Sequence, residues 1–169
     1  GSNPSGTSKD KKLGEINLEK IVIVDTGSSN ILSLKRAIEM FNSNVNIASG
    51  SKEILSAQKI FFPGVGAFKK VMKTLERQKL VETLIEVKNK KIPLLGICLG
   101  LQLFFNESEE FGSSKGLGIL QGKVKKLPMI SVENAKLKIP NMGWFSLNLN
   151  KKFTSKNFNK FLNSLNEKD

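Results

Sequence analysis

Histidine is missing from the 169-residue chain, and so is tyrosine; cysteine and tryptophan each occur once. One cysteine excludes an internal disulfide framework, and with no histidine beside it a zinc site is not expected. No other metal and no cofactor is implied. The missing histidine also removes the commonest general base at neutral pH. Arginine is scarce: Arg36 and Arg77 stand alone, although Lys+Arg reaches 27 against 15 acidic residues, a formal charge of +12. Arginine is the preferred reader of phosphates and base edges. The lysines are scattered, often beside asparagine, with none of the aromatic-basic interleaving of RNA-binding sheets. The excess reads as solvated surface, and no nucleic-acid partner is expected. No apolar run is long enough to cross a bilayer, so no membrane role is expected either. Residues 1–19 open with GSNPSGTSKDKK, which lacks the apolar core of a signal peptide and reads as a flexible polar tail, in part tag-derived. These features suit one domain, residues 20–169, in the reducing cytoplasm.

What is present is an alternating pattern. Ile21-Val22-Ile23-Val24 is a β-branched run without a polar residue, expected to be a buried strand closed by Asp25-Thr26-Gly27. Ser28-Ser29-Asn30 offers N-cap chemistry for a helix whose apolar face is Ile31, Leu34, Ile38 and Phe41. Val45–Ala48 is a second strand, Ser51 opens a short helix, and Ile60–Phe62 is a third strand stopped by Pro63-Gly64-Val65-Gly66. A helix follows from Phe68 to Asn89, with a break near Gln78. Its apolar stripe is Val71, Met72, Leu75, Leu80, Leu84 and Val87. Pro93–Ile97 is a fourth strand, and Leu99–Phe105 starts another helix. This alternation predicts an α/β fold, a three-layer α/β/α arrangement on a mostly parallel sheet. Residues 106–122 read as loop. Lys123–Leu127 and Gly143–Leu149 alternate as more exposed strands would. From Lys151 only a weak helical stripe remains.

In an open parallel sheet, function collects at the carboxyl ends of the strands. Three loops lie there: Asp25-Thr26-Gly27, Pro63-Gly64-Val65-Gly66 and Gly96-Ile97-Cys98-Leu99-Gly100. The third has the Gly-x-Cys-x-Gly spacing of a nucleophile elbow at a strand-to-helix turn. Side chains at Gly96 and Gly100 would clash there. The turn lifts Sγ out of the sheet, and the following helix start favours thiolate. The Leu99 N–H, next to the nucleophile, can meet a developing oxyanion. The alternative is a buried core cysteine, the usual fate of a lone thiol; the flanking glycines favour the elbow.

Gly96-Ile97-Cys98-Leu99-Gly100-Leu101-Gln102 resembles the signature of class I glutamine amidotransferases. Four further segments narrow the likeness: Asp25-Thr26-Gly27-Ser28-Ser29-Asn30, Pro63-Gly64-Val65-Gly66-Ala67-Phe68, Ser108-Glu109-Glu110 with Gly116-Leu117-Gly118, and Pro140-Asn141-Met142-Gly143-Trp144. In this order they are similar to the glutaminase subunits of imidazole glycerol phosphate synthases, which serve histidine biosynthesis. The resemblance implies that Cys98 attacks the side-chain amide of glutamine, expels ammonia and forms a thioester that water cleaves to glutamate. It implies oxyanion donors at Val65 and Leu99, and glutamine contacts at Gly64, Gln102 and Glu110. From the residues alone, Gln102 would be an exposed helix position and Glu110 a solvated carboxylate. The likeness also implies a heterodimer with a barrel-fold cyclase that uses the ammonia, facing Asn141, Met142 and Trp144. Trp144 alone reads equally as an interface anchor or a core residue.

The pattern is then incomplete. A leaving ammonia must be protonated and a water activated, work that a histidine does in such triads. The family carries that histidine and its glutamate in a Phe-His-Pro-Glu-like segment absent here. A glutamine-holding Phe-Val-His-Ser-Tyr-like stretch is absent as well. The chain is therefore expected to be the N-terminal portion of such a domain, slow or inactive alone. Asn141 stands where the family has histidine, which bears on the interface or marks a paralogue that feeds amino-sugar synthesis. A non-catalytic, partner-binding subunit is the main rival reading. A flavodoxin-like flavin module shares the alternation, but the acidic, single-glycine Asp25 loop disfavours phosphate.

Overall fold

A computed structural model describes residues 19–27, 30–41, 44–128 and 143–144. The chain divides into two compact units, Gly1–Lys126 and Leu127–Asp169, and every described element belongs to the first.

Four strands form a parallel sheet: β1 (Lys20–Val24), β2 (Asn44–Ala48), β3 (Lys59–Gly64) and β4 (Leu94–Cys98), in the order β2-β1-β3-β4. The chain leaves β1 for β2 on one side and returns to β3 on the other. The order therefore reverses at β1, and a crevice is expected beyond the carboxyl ends of β1 and β3. The helices are α1 (Ile31–Glu39), α2 (Ser51–Leu55), α3 (Phe68–Arg77), α4 (Leu80–Asn89) and α5 (Leu99–Leu103). Beyond α5 a small second sheet joins β5 (Glu107–Ser108), β6 (Ser114–Lys115) and β7 (Lys123–Val124) in the order β6-β5-β7.

Alternation along β1 splits its side chains between two cores. Val22 and Val24 join Ile54, Ile60, Phe62, Phe68, Leu75, Leu84 and Leu103 in the larger cluster, under α2 to α5. Ile21 and Ile23 join Ile31, Ile38 and Val45 in a smaller one under α1. Phe62 and Phe104 stack at 5.8 Å between ring centroids, which ties β3 to the residue that caps α5.

Several expectations shift. Asn30 does sit at the N-cap of α1, but its side chain makes no capping bond. Phe41 is 83% exposed, because α1 ends at Glu39 and the chain leaves the apolar stripe before reaching it. The third strand does not stop at Pro63. It runs to Gly64, pairing Phe62 with Gly96 and Pro63 with Ile97. Proline is tolerated there because pairing with β1 ends at Phe61, so no ladder bond is demanded of its missing N–H. The break expected near Gln78 is present: α3 and α4 are parted at Gln78–Lys79, where Lys79 takes φ 56°. The stripe is nonetheless buried throughout, from Val71 to Val87. Residues 106–122 hold two short strands, and the strand expected over Lys123–Leu127 shrinks to two residues. The strand over Gly143–Leu149 and the helical stripe after Lys151 lie outside the described residues, Gly143 and Trp144 excepted.

Candidate active site

The corner between β4 and α5 is built by close backbone approach. A Cβ on Gly100 would lie 1.8 Å from the Phe62 carbonyl oxygen, and one on Gly96 would lie 2.6 Å from Leu101 Cα and the Phe104 ring. Only glycine fits either place, so α5 can pack directly on β3 and β4. Between them Cys98 is held at φ 54°, ψ −118°, a conformation a non-glycine residue adopts only when its surroundings impose it. The thiol is exposed. A strained, exposed cysteine on a strand-to-helix turn is a nucleophile elbow in form, and the buried-cysteine reading falls away.

Strand register brings the second loop alongside. Gly64 is the β3 partner of Cys98, and a Cβ on Gly64 would meet the Gly100 nitrogen at 2.7 Å. Val65 follows immediately and is 52% exposed, whereas Leu99, on the far side of Cys98, is 3% exposed. The backbone of Val65 and the backbone of Leu99 thus flank the thiol from two different elements. Gln102 lies one turn along α5 from Cys98 and is exposed, which sets it over the same mouth.

Glu110 arrives from the second sheet. Its Oε2 accepts from the Phe68 N–H at 2.7 Å. Its own N–H donates to Ser108 Oγ at 3.1 Å, and Ser108 is wholly buried. Glu110 is exposed, as a solvated carboxylate would be, but one of its oxygens is bonded to the helix that follows the Val65 loop. The part played by Ser108 and the Phe68 N–H is not visible in hydrophobic periodicity. The available signal is local: a serine two residues before the glutamate, the spacing of a hydroxyl-backbone turn.

The structure gathers Gly64, Val65, Cys98, Leu99, Gln102 and, through α3, Glu110. Trp144 is fully exposed, at 101%, so it is not a core residue. Asn141 and Met142 lie outside the described residues. In the Asp25 loop, Asp25 Oδ1 accepts from the Gly27 N–H at 2.6 Å and its N–H donates to the Ala48 carbonyl at 2.9 Å. That carboxylate closes its own turn. Among the described residues no three His, Cys, Asp or Glu side chains gather to hold a metal. None of the described helices is long and apolar enough to cross a membrane.

The chain is similar in sequence to known proteins. The glutamine amidotransferase class-I family model matches residues 22–167. The imidazole glycerol phosphate synthase subunit HisH of a Geobacillus species is 41% identical over 124 residues, 73% of this chain and 59% of that protein. The HisH subunit of Moorella thermoacetica is 42% identical over 127 residues, covering 75% and 58%. That of Bacillus cereus is 43% identical over 133 residues, covering 79% and 61%. The chain thus spans about three-fifths of the length of the relatives it matches.

Proposed function

We propose a function from one premise: the chain belongs to the class I glutamine amidotransferase family. Residues 20–169 are the N-terminal portion of such a domain. They form the nucleophile side of a glutaminase that supplies ammonia to the cyclase of an imidazole glycerol phosphate synthase, in cytoplasmic histidine biosynthesis. The observation that supports this is the register of Gly64 with Cys98, which sets the Val65 loop beside a strained, exposed thiol.

The chemistry follows from the placement. Cys98 Sγ attacks the glutamine side-chain carbonyl. The new oxyanion is met by the N–H groups of Val65 and Leu99. Ammonia then leaves with a proton, and the thioester is hydrolysed to glutamate. Gly64, whose missing side chain lets the β4–α5 corner pack against its strand, offers backbone contact to the glutamine, and Gln102 with Glu110 holds it. A barrel-fold cyclase docks beside Asn141, Met142 and Trp144 as the heterodimer partner.

No histidine stands among these 169 residues. The proton shuttle for ammonia's departure therefore comes from outside them, and the chain alone traps acylating analogues without sustained turnover. The test is mass-spectrometric labelling with a glutamine chloroketone. Cys98 should be alkylated faster than free cysteine, glutamine should slow the reaction, and steady glutamate release should stay near background. Labelling at the rate of free cysteine, with no protection by glutamine, would overturn the reading. An ammonia supply to amino-sugar synthesis is the second reading, favoured only by Asn141 in place of the family's histidine. Purified cyclase that fails to bind would select it.

A further inference from the structure

The helix that follows the donor loop starts with a deficit. The N-cap of α3 is Ala67, which has no side-chain acceptor, and the first turn contains no acidic residue. Phe68 is 0% exposed, so its N–H is cut off from water and needs a partner within the protein. The partner is the Glu110 carboxylate at 2.7 Å, from 42 residues further along the chain. Such a charge-assisted bond also complements the positive end of the helix.

The β5–β6 loop is shaped to deliver that carboxylate. Buried Ser108 anchors the Glu110 N–H. The next two residues, Phe111 and Gly112, turn the chain back with φ 52° and 99°. Gly116, at the far end, lies so close to α3 that a Cβ there would meet the Phe68 ring at 3.0 Å and the Phe105 carbonyl oxygen at 2.2 Å. The hairpin therefore grips the first residue of α3 by its backbone and its ring. Upstream of that residue lie only Val65, Gly66 and Ala67 before the strand position paired with Cys98.

We infer that Glu110 is a positioning residue for the oxyanion loop: by holding the Phe68 N–H it fixes the peptide that carries Val65 beside Cys98. The inference rests on the glutaminase reading and deepens it. A carboxylate with one oxygen on Phe68 still has acceptor capacity for a substrate ammonium. Occupancy of the glutamine site and the placement of the donor loop then share one side chain.

The experiment separates positioning from substrate contact with two probes and a control, used on the full chain. The probes are the glutamine chloroketone and the same chloroketone lacking the α-amino group. In each, Sγ adds to the ketone carbon and the carbonyl π electrons move to oxygen, giving an oxyanion that draws on the loop donors; the sulfur then shifts to the methylene carbon as chloride leaves, and the ketone re-forms. Iodoacetamide alkylates the same thiol without building an oxyanion. Glu110→Ala should lower the limiting rate with both chloroketones by about tenfold or more and leave the iodoacetamide rate within about twofold. Glu110→Gln keeps an acceptor for Phe68, so it should restore the limiting rate with the des-amino probe. Its affinity for the amino-bearing probe should stay weak, because the charge is gone.

An unchanged des-amino rate in Glu110→Ala would overturn the inference and leave Glu110 as a substrate ligand only. Amide hydrogen exchange reads the clamp independently of chemistry. Exchange at Phe68 should rise in Glu110→Ala and remain protected in Glu110→Gln; equal protection in both would also overturn it. A wild-type chain showing no preference for chloroketones over iodoacetamide, with the exchange pattern intact, would instead fail the glutaminase reading.

Discussion

The two faces of the parallel sheet are finished to different degrees. On one, Val22, Ile60 and Phe62 disappear beneath α2 to α5, each at most 1% exposed. On the other, α1 covers Ile21, Ile23 and Val45. Leu95, opposite Phe61 in register, remains 53% exposed. Along the edge of β4 that no described strand pairs runs an open groove of about 410 Å³, lined by Ile92, Leu94, Leu95, Leu101, Phe104 and Leu120 among others. Parallel sheets are ordinarily covered on both faces. The covered face is the one that makes the elbow, because α5 and Phe104 press against Gly96 from that side. Among the described strands, Cys98 has β3 as its neighbour on one flank.

That asymmetry has an energetic signature. Phe62→Ala removes a wholly buried ring stacked on Phe104 and should cost about 3–5 kcal/mol in urea unfolding. Leu95→Gln, on the open face, should cost about 0.5 kcal/mol or less and should lower the binding of an apolar dye to the native chain. Equal penalties at the two positions would mean that Leu95 is covered in solution, and the contrast between faces would collapse.

The next largest effect is expected at the corner itself. Gly100→Ala places a methyl 1.8 Å from the Phe62 carbonyl oxygen. Two backbones must part to admit it, at a cost of about 3 kcal/mol. Gly50→Ala is the matched control, since its added Cβ meets nothing closer than Glu53 Oε2 at 3.9 Å. If the two variants melt alike, α5 is not seated on β3 as described.

Legibility follows the same divide. The elements that cover the finished face are periodic, and their stripe from Val71 to Val87 was readable because every member meets one core. Gly96 and Gly100 were readable because a tight strand-to-helix corner excludes side chains whatever surrounds it. Phe41 misled because an apolar residue at helical spacing carries no mark of where the helix stops. Pro63 misled because proline is barred only where a ladder bond is needed, and pairing on that side is a property of the whole sheet. The bond between Glu110 and Phe68 joins positions that no local pattern connects.

The smallest expected effect tests the sheet that carries Glu110. Lys123 on β7 stands opposite Glu107 on β5 and is bonded to it. Next to that pair, the Glu109 N–H donates to the Val124 carbonyl at 3.0 Å. The hydrogen bond to Glu107, and then its charge, raise the Lys123 pKa above the ordinary 10.5. A raised folded value means the pair contributes fully below the ordinary lysine range, and the contribution drains as pH climbs through the folded value. Both groups face water, so the contribution is small and screened by salt. Lys123→Met should therefore melt slightly below wild type at neutral pH and low salt. The gap should close well above pH 10.5, and it should also close at about 1 M salt, where screening is short-ranged. A gap that survives both conditions would assign the effect to packing of the lysine stem over β5 rather than to charge. If the limiting rate with the des-amino chloroketone falls as well, the β5–β7 pairing is part of the clamp that reaches Phe68 through Glu110.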